Sequence, residues 1–349
     1  MESEDFARRN RLGASTVQVS RLKRCIPGEL RLVTAAICSA LLVGSLLAAE
    51  EFPSKPIRFI VPFPAGSSAD TRTRQLVAPL TKSLKQPIII DNHPGAAGSI
   101  GTAVGVKAPA DGYTVTYIVT TSVAVGPHVY KDSGFDPRRD LIPLIVAMKT
   151  ASILAVKADS AIHSVSDLIS SAKANPGKLT YGTSGPGSPQ HLMGERLKKL
   201  AKIQLVPVPY KGDAPTLTDL VAGQIDMTFG PPPATLPLID AGKLKALAVT
   251  SPKRMPRLPN TPTLAESGVP GYDEVMWYGY AVPAGTPAGI VKRLHEALRA
   301  ALLTPEFRQF TELNGGELVA STQEYAAELM RRDFERYGQI VRELDLRAD

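Results

Sequence analysis

Two kinds of apolar pattern alternate along the chain. Short runs rich in β-branched residues predict strands at 57–62, 87–91, 113–119, near 141–148 and 152–157, then at 179–182, 204–208, 225–229, 244–249 and 275–282. Between them, apolar residues recur every three or four positions. That spacing predicts helices over 68–84 (Leu76, Val77, Leu80 and Leu84 on one face), 100–107, 164–175, 189–200, 213–222, 234–241, 287–303 and 305–314. A last helix, 322–344, is expected to turn Tyr325, Leu329, Phe334, Tyr337 and Val341 inward. Ser164 with Asp167 gives a capping start, and Pro176-Gly177 a stop. Strands alternating with helices predict an α/β architecture with mostly parallel sheets. In such sheets ligands settle at the carboxyl ends of strands, where loops and helix N-termini gather.

One apolar run obeys neither period. Residues 32–49 (LVTAAICSALLVGSLLAA) follow Arg21, Lys23, Arg24 and Arg31, and small residues stand at Ser45, Ala48 and Ala49. This reads as a secretory signal peptide over 1–49, cleaved near Ala48 or Ala49, with a periplasmic destination. The competing reading is a retained membrane anchor, since the run is just long enough to span a bilayer. A lipoprotein acceptor at Cys38 is in the wrong context, and a twin-arginine signal at Arg8-Arg9 is far from the apolar run. No later stretch is apolar and long enough to span.

Composition narrows the classes. The hydrophobic fraction of 44% supports a packed core and excludes wholesale disorder. At 349 residues the chain is one large domain or two ordinary ones. Cys25 and Cys38 both precede residue 50, so the remainder has no disulfide, zinc-thiolate site, iron–sulfur cluster or cysteine nucleophile. Residues 1–49 carry seven of the 40 basic and four of the 33 acidic residues, leaving 33 against 29, a net +4. That mild, scattered balance gives no support to nucleic-acid binding and suits a small anionic ligand.

Two strand-to-helix loops carry the candidate chemistry. The first runs Pro62-Phe63-Pro64-Ala65-Gly66-Ser67-Ser68-Ala69-Asp70. Gly66 allows close backbone approach, Ser67 and Ser68 offer hydroxyls, and the helix start favours an anion. The second, Tyr181-Gly182-Thr183-Ser184-Gly185-Pro186-Gly187-Ser188-Pro189, repeats that chemistry. Neither loop holds Lys or Arg, so recognition is expected to rest on backbone N–H, hydroxyls and bridging water, not on ion pairs. An ordinary helix cap is the bland alternative for each loop. Thr120-Thr121-Ser122 can add hydroxyls to the first jaw, while Lys211 and Asp213 stand at the mouth of a third loop. Trp277 reads equally as cleft wall or as core.

Enzyme signatures fail. Gly182-x-Ser184 begins like a nucleophile elbow, but Pro186 occupies the fifth position. Ser184 and His191 lack an acidic partner at a meaningful spacing. Gly95-x-x-Gly98-x-x-Gly101 is not the dinucleotide fingerprint. The five histidines are scattered and no metal or other cofactor is expected.

Several ordered segments together resemble the Bug-type substrate-binding proteins of tripartite tricarboxylate transporters. They are Phe52-Pro53-Ser54-Lys55-Pro56-Ile57-Arg58, Val61-Pro62-Phe63-Pro64-Ala65-Gly66, Asp91-Asn92-x-Pro94-Gly95-Ala96-x-Gly98, Pro109-x-Asp111-Gly112-Tyr113, Ala174-Asn175-Pro176-Gly177-Lys178-Leu179, Val208-Pro209-Tyr210-Lys211-Gly212 and Pro283-Ala284-Gly285-Thr286-Pro287. The resemblance implies a type II periplasmic-binding-protein fold: two α/β lobes, 52–153 plus 277–349 and 154–276, joined by two crossing strands with a ligand cleft between them. It implies that the two loops grip a ligand carboxylate with ordered waters, that the ligand passes to a membrane permease, and that no reaction is catalysed. A monomer is expected. The residues assigned to the ligand are Phe63, Ala65, Gly66, Ser67 and Ser68, with Asp70 bracing them and Thr121 beside them, and Thr183, Ser184, Gly185, Ser188 and Asp213 opposite. Ser67, Asp213 and Gly230-Pro231-Pro232-Pro233 depart from the family pattern, and Asp213 would repel a polyanion and could hold an ammonium. A ligand-loaded sensor subunit and a hydrolase or isomerase using His191 are the alternative functions.

Overall fold

A strand buried on both faces reads as a continuous apolar run, and a helix on its flank needs only one apolar stripe. That division sets the architecture. The computed structural model describes residues 52–130 and 133–347; the run at 32–49 and its expected cleavage lie outside them. Chain order begins β1 (Ile57–Val61), α1 (Ser68–Arg74), α2 (Val77–Leu84), β2 (Ile88–Asn92), α3 (Ser99–Val106), β3 (Thr114–Val119), α4 (Gly126–Val129), α5 (Pro137–Asp140) and β4 (Leu141–Ala151). It continues β5 (Ile153–Lys157), α6 (Val165–Ala174), β6 (Thr180–Thr183), α7 (Pro189–Ala201), β7 (Val206–Pro209), α8 (Asp213–Ala222), β8 (Met227–Gly230), α9 (Pro232–Asp240) and β9 (Leu244–Val249). It closes with β10 (Val275–Pro283), α10 (Ala288–Leu302), α11 (Pro305–Leu313), β11 (Gly316–Leu318) and α12 (Gln323–Glu343).

The strands form two sheets, ordered β11-β4-β10-β3-β1-β2 and β7-β6-β8-β5-β9. The fold is α/β, but the sheets are mixed rather than mostly parallel. β1 lies parallel to β2 and β3, and β6 to β7 and β8. β10 is antiparallel to β3 and β4, β11 to β4, and β5 to β8 and β9. The antiparallel strands include those that carry the chain between sheets, which run against their neighbours. β7 holds two prolines and is tolerated because it is an edge.

Two helical expectations change. The helix expected over 68–84 is two helices separated at Gln75-Leu76. Pro79 explains the break: it lacks an N–H and its ring would meet the carbonyl of Gln75, so it fits only in the first turn of a new helix. In α12, Leu329, Tyr337 and Val341 are buried, but Tyr325 is exposed and Phe334 half-buried. The inward stripe instead uses Ala326, Met330 and Asp333. Tyr325 accepts a hydrogen bond from Lys149 Nζ (2.8 Å) on β4. Phe334 lies under the guanidinium of Arg138, 4.1 Å from its ring centroid.

The sheets meet where the chain crosses between them. β4 gives way to β5 at Ser152, and the return path enters β10 after Glu274. Thr250 joins both crossings. Its Oγ1 accepts from Ser152 N (2.9 Å) and donates to Glu274 O (2.7 Å), while its N–H donates to Ser152 O (3.0 Å) and its O accepts from Glu274 N (2.9 Å). α12 spans the junction: Ala326, Leu329 and Met330 pack with Trp277 and Val146, and Tyr337 and Val341 join the core of the five-stranded sheet. Glu274, fully buried, anchors this seam. It lies 2.9 Å from Arg196 Nε on α7, 3.9 Å from Arg336 Nη2 on α12, and accepts from Tyr337 Oη (2.9 Å).

Removing one partner of a buried ion pair strands the other charge. Glu274→Ala should therefore cost roughly 3 kcal/mol, seen as a lower midpoint in urea unfolding with unchanged slope. A midpoint equal to the parent's would deny Glu274 this role.

Candidate functional site

Each jaw is shaped by glycine and by caps. In the loop after β1, Gly66 takes a left-handed φ of 78° and Ser67 caps α1, accepting from Asp70 N (3.3 Å). Asp70 pins the turn from behind. Its Oδ2 accepts from Gly66 N (2.9 Å) and Arg74 Nε (2.8 Å), and its Oδ1 from Asn92 Nδ2 (3.1 Å), which also donates to Phe63 O (3.0 Å). Burial alone would raise the Asp70 pKa, but these donors, Arg74 foremost, hold it below the usual aspartate value.

In the loop after β6, Gly185 N donates to Thr183 Oγ1 (2.8 Å) and Ser188 caps α7. Gly187 N donates to His191 Nδ1 (3.3 Å). That bond makes Nδ1 the unprotonated nitrogen, and burial holds the His191 pKa below its ordinary value. The third loop ends at Gly212, and Asp213 opens α8.

These loops enclose a cavity of about 480 Å³ between the two sheets. Of the residues assigned from sequence, Phe63, Ser67, Ser68, Ser184, Ser188 and Asp213 line it. Ala65, Gly66, Asp70, Thr183 and Gly185 stand outside the lining, and several of them shape the loops. Thr121 does not line it: beyond β3 the chain coils into a π-helical turn, Thr121–Val125, which buries the hydroxyl triplet. Thr120 Oγ1 there accepts from Trp277 N (2.9 Å), and Ser122 Oγ turns back to Val119. Trp277 is core, donating from Nε1 to Asp333 (2.8 Å). His191 is absent from the lining.

The jaws touch. Ser68 Oγ donates to Asp213 Oδ2 (3.3 Å), although the two residues open helices on different sheets. Asp213 Oδ1 accepts from Gln190 Nε2 (3.0 Å). Tyr130 Oη donates to Pro186 O (2.7 Å) in the second loop.

The sequence reading missed the buried cation of the site. Arg72 lines the cavity, is 3% exposed, and its guanidinium lies 4.3 Å from the ring centroid of Tyr278. Its Nε and Nη2 have no protein partner. The two jaw loops themselves lack a cation, but the third loop brings Lys211 to the lining and the helix behind the first loop brings Arg72. The signal was present, since Ser68 and Arg72 are four residues apart and share a helix face. Burial pushes the Asp213 carboxyl above its ordinary pKa, against the pull of Arg72 and the Ser68 and Gln190 hydrogen bonds. Tyr117 and Tyr278 form an aromatic wall, their hydroxyl pKa values raised by burial. The turn Ala96–Gly98 also lines the cavity, with Ala96 and Ala97 at left-handed φ of 46° and 52°. Its glycine run serves packing: a Cβ on Gly101 would meet Pro62 Cα and His93 O, each at 2.6 Å.

Comparison with known proteins places this cleft in context. The family "Tripartite tricarboxylate transporter family receptor" matches residues 72–346. A UPF0065 protein from the tcbD-tcbE intergenic region of Pseudomonas sp. (strain P51) is 34% identical over 322 residues, 91% of this chain and 96% of that protein. The solved Rpa4515 of R. palustris with adipate is 34% identical, with a TM-score of 0.81 over 85% of this chain and 99% of its own. Periplasmic binding protein BugD gives the same TM-score, 0.81, at 29% identity, covering 85% of this chain and all of that one. The two-sheet architecture is therefore that of the periplasmic binding proteins.

A carboxylate whose folded pKa is depressed adds stability above its unfolded pKa and loses it as pH falls through the folded value. Asp70 should contribute fully above about pH 5 and lose that contribution on acidification below the ordinary aspartate pKa of about 3.9. Asp70→Asn should flatten the acid limb of a stability–pH curve; a curve parallel to the parent's would contradict the pinning role.

Proposed function

The chain belongs to the tripartite tricarboxylate transporter family of receptors, and from that premise we propose that it is a periplasmic solute-binding receptor for a small carboxylate. It delivers that ligand to a membrane permease of the tripartite tricarboxylate type and performs no reaction itself. One observation carries the reading: a buried guanidinium with two unpartnered donors lines a cavity walled by helix starts from both sheets. A carboxylate is the group that such donors fit, and a cavity of about 480 Å³ takes a ligand of metabolite size. The adipate held by the R. palustris relative supports the same class. A hydrolase using Ser184 and His191 has no support in the geometry. Nδ1 of His191 is occupied by Gly187 N, Nε2 lies 3.9 Å from Glu195, and the ring stands outside the cavity lining.

Thermal unfolding of protein refolded from denaturant, against mono-, di- and tricarboxylates, amino acids and aromatic acids, tests this. A ligand at about 100 times its Kd adds about 2.7 kcal/mol, and so raises Tm by several degrees. One responsive class of carboxylates is expected. No shift with any of them would overturn the reading.

A further inference from the structure

Three charged side chains line the cavity, the exposed Lys211 at its rim and Arg72 and Asp213 further in, and the last two face different demands. Arg72 sits on α1 beside the six-stranded sheet, and Asp213 opens α8 beside the five-stranded sheet. They do not pair directly; each faces the same space. The unpartnered donors of Arg72 are Nε and Nη2, which form one edge of the guanidinium. That edge presents two parallel N–H groups, the arrangement that matches both oxygens of a carboxylate.

The opposite wall offers acceptors. An ionised carboxylate only accepts, so Gln190 must present its Nε2 to Asp213, and this leaves Oε1 free. Gln190 Oε1 is indeed buried without a partner. Asp213 accepts one bond on each oxygen, from Ser68 and Gln190, and each oxygen can take more. Two acceptor groups of adjacent residues in the fold therefore converge on the cavity with no donor in the protein to complete them.

The charges beside Arg72 and Asp213 point the same way. A plain carboxylate on Arg72 adds a second anion near the half-buried Asp213, with only the exposed Lys211 at the rim to offset it, and a dicarboxylate adds a third. A ligand bearing one carboxylate and one ammonium completes both ends and leaves the balance between Arg72 and Asp213 unchanged. Phe63, Tyr117, Phe229 and Tyr278 supply an apolar lining for the rest of it. Resting on the receptor reading above, we propose that the ligand is a zwitterion, an amino acid with an apolar body, its carboxylate on Arg72 and its ammonium between Asp213 and Gln190 Oε1. The raised pKa of Asp213 fits this account, since a neighbouring ammonium would restore its charge.

Calorimetry on refolded protein with matched pairs tests the proposal: L-phenylalanine against 3-phenylpropanoate, L-leucine against 4-methylpentanoate, and 6-aminohexanoate against hexanoate. Each pair differs in the ammonium alone, and the third allows a longer spacing between the charges. At least one ammonium-bearing member should bind about tenfold or more tighter than its partner, the value of a hydrogen bond to a charged group. Asp213→Asn should bring the two members of that pair to similar affinity, and Asp213→Ser serves the same purpose should the Asn variant fail to fold. Arg72→Gln should weaken both members alike. Equal binding within every pair, preference for the deaminated acids, or tighter binding of adipate than of all six probes would overturn the zwitterion while leaving the receptor reading intact. Silence from every carboxylate would overturn both.

Discussion

The hydroxyl of Thr250 holds the cleft at its base. The chain passes between the sheets twice, at Ser152 and at Glu274, and one threonine bonds to both. Its oxygen accepts from one crossing and donates to the other, which uses both capacities of a hydroxyl. All three residues are buried, so a side chain without that hydroxyl would leave a backbone N–H and a backbone carbonyl unpaired. Ser152 is also part of the cavity lining. The junction between the sheets and the floor of the site are thus the same few residues, and what moves one sheet against the other must rearrange around them.

A buried guanidinium sets the second constraint. Removing Arg72 from water is costly unless its donors are met, and the protein meets them incompletely. The face of Tyr278 stabilises the cation without consuming an N–H, which leaves the guanidinium edge available. Asp213 offsets part of the charge from across the cavity. An incompletely satisfied polar group is destabilising in a core, yet in a binding site it is a stored preference for the group that completes it. The same logic separates two acids on opposite sides of the cleft. Asp70 is saturated by three donors and serves the loop, whereas Asp213 remains open on the cavity side.

The strand and helix pattern made most of the fold legible, because each buried strand is a short apolar run and each flanking helix a striped one. What escaped has physical causes. β11 has only three residues, too few to show a period. The break at Gln75-Leu76 lay in Pro79, whose ring acts on a residue four positions earlier. The loops were found because glycine and serine before a helix have few other uses. Arg72 was missed because a search confined to loops ends where the helix begins, and its neighbours Asp70 and Arg74 form an ordinary pair. Thr121 was included because a hydroxyl at a strand end usually faces the ligand side; here a π-helical turn rotates it into the core. Partners across the cleft, such as Ser68 and Asp213, are 145 positions apart and belong to tertiary structure alone.

The contact between the jaws is slight for what it joins. A single hydrogen bond of 3.3 Å links the helix starts that carry Ser68 and Asp213. A bond to a charged acceptor is worth about 1.5–3 kcal/mol at best, and at this length less. Such a bond orients the two helix starts without fixing them, and a ligand that meets both sides can outweigh it. A ligand favours one arrangement of any protein only by binding it better than the alternatives. Arg72 and Asp213 stand on helices of separate sheets, so a ligand that meets both, as proposed, would bridge them. Placing the two charges on opposite sides, rather than as a pair on one wall, makes one small molecule sufficient to tie the two sheets together.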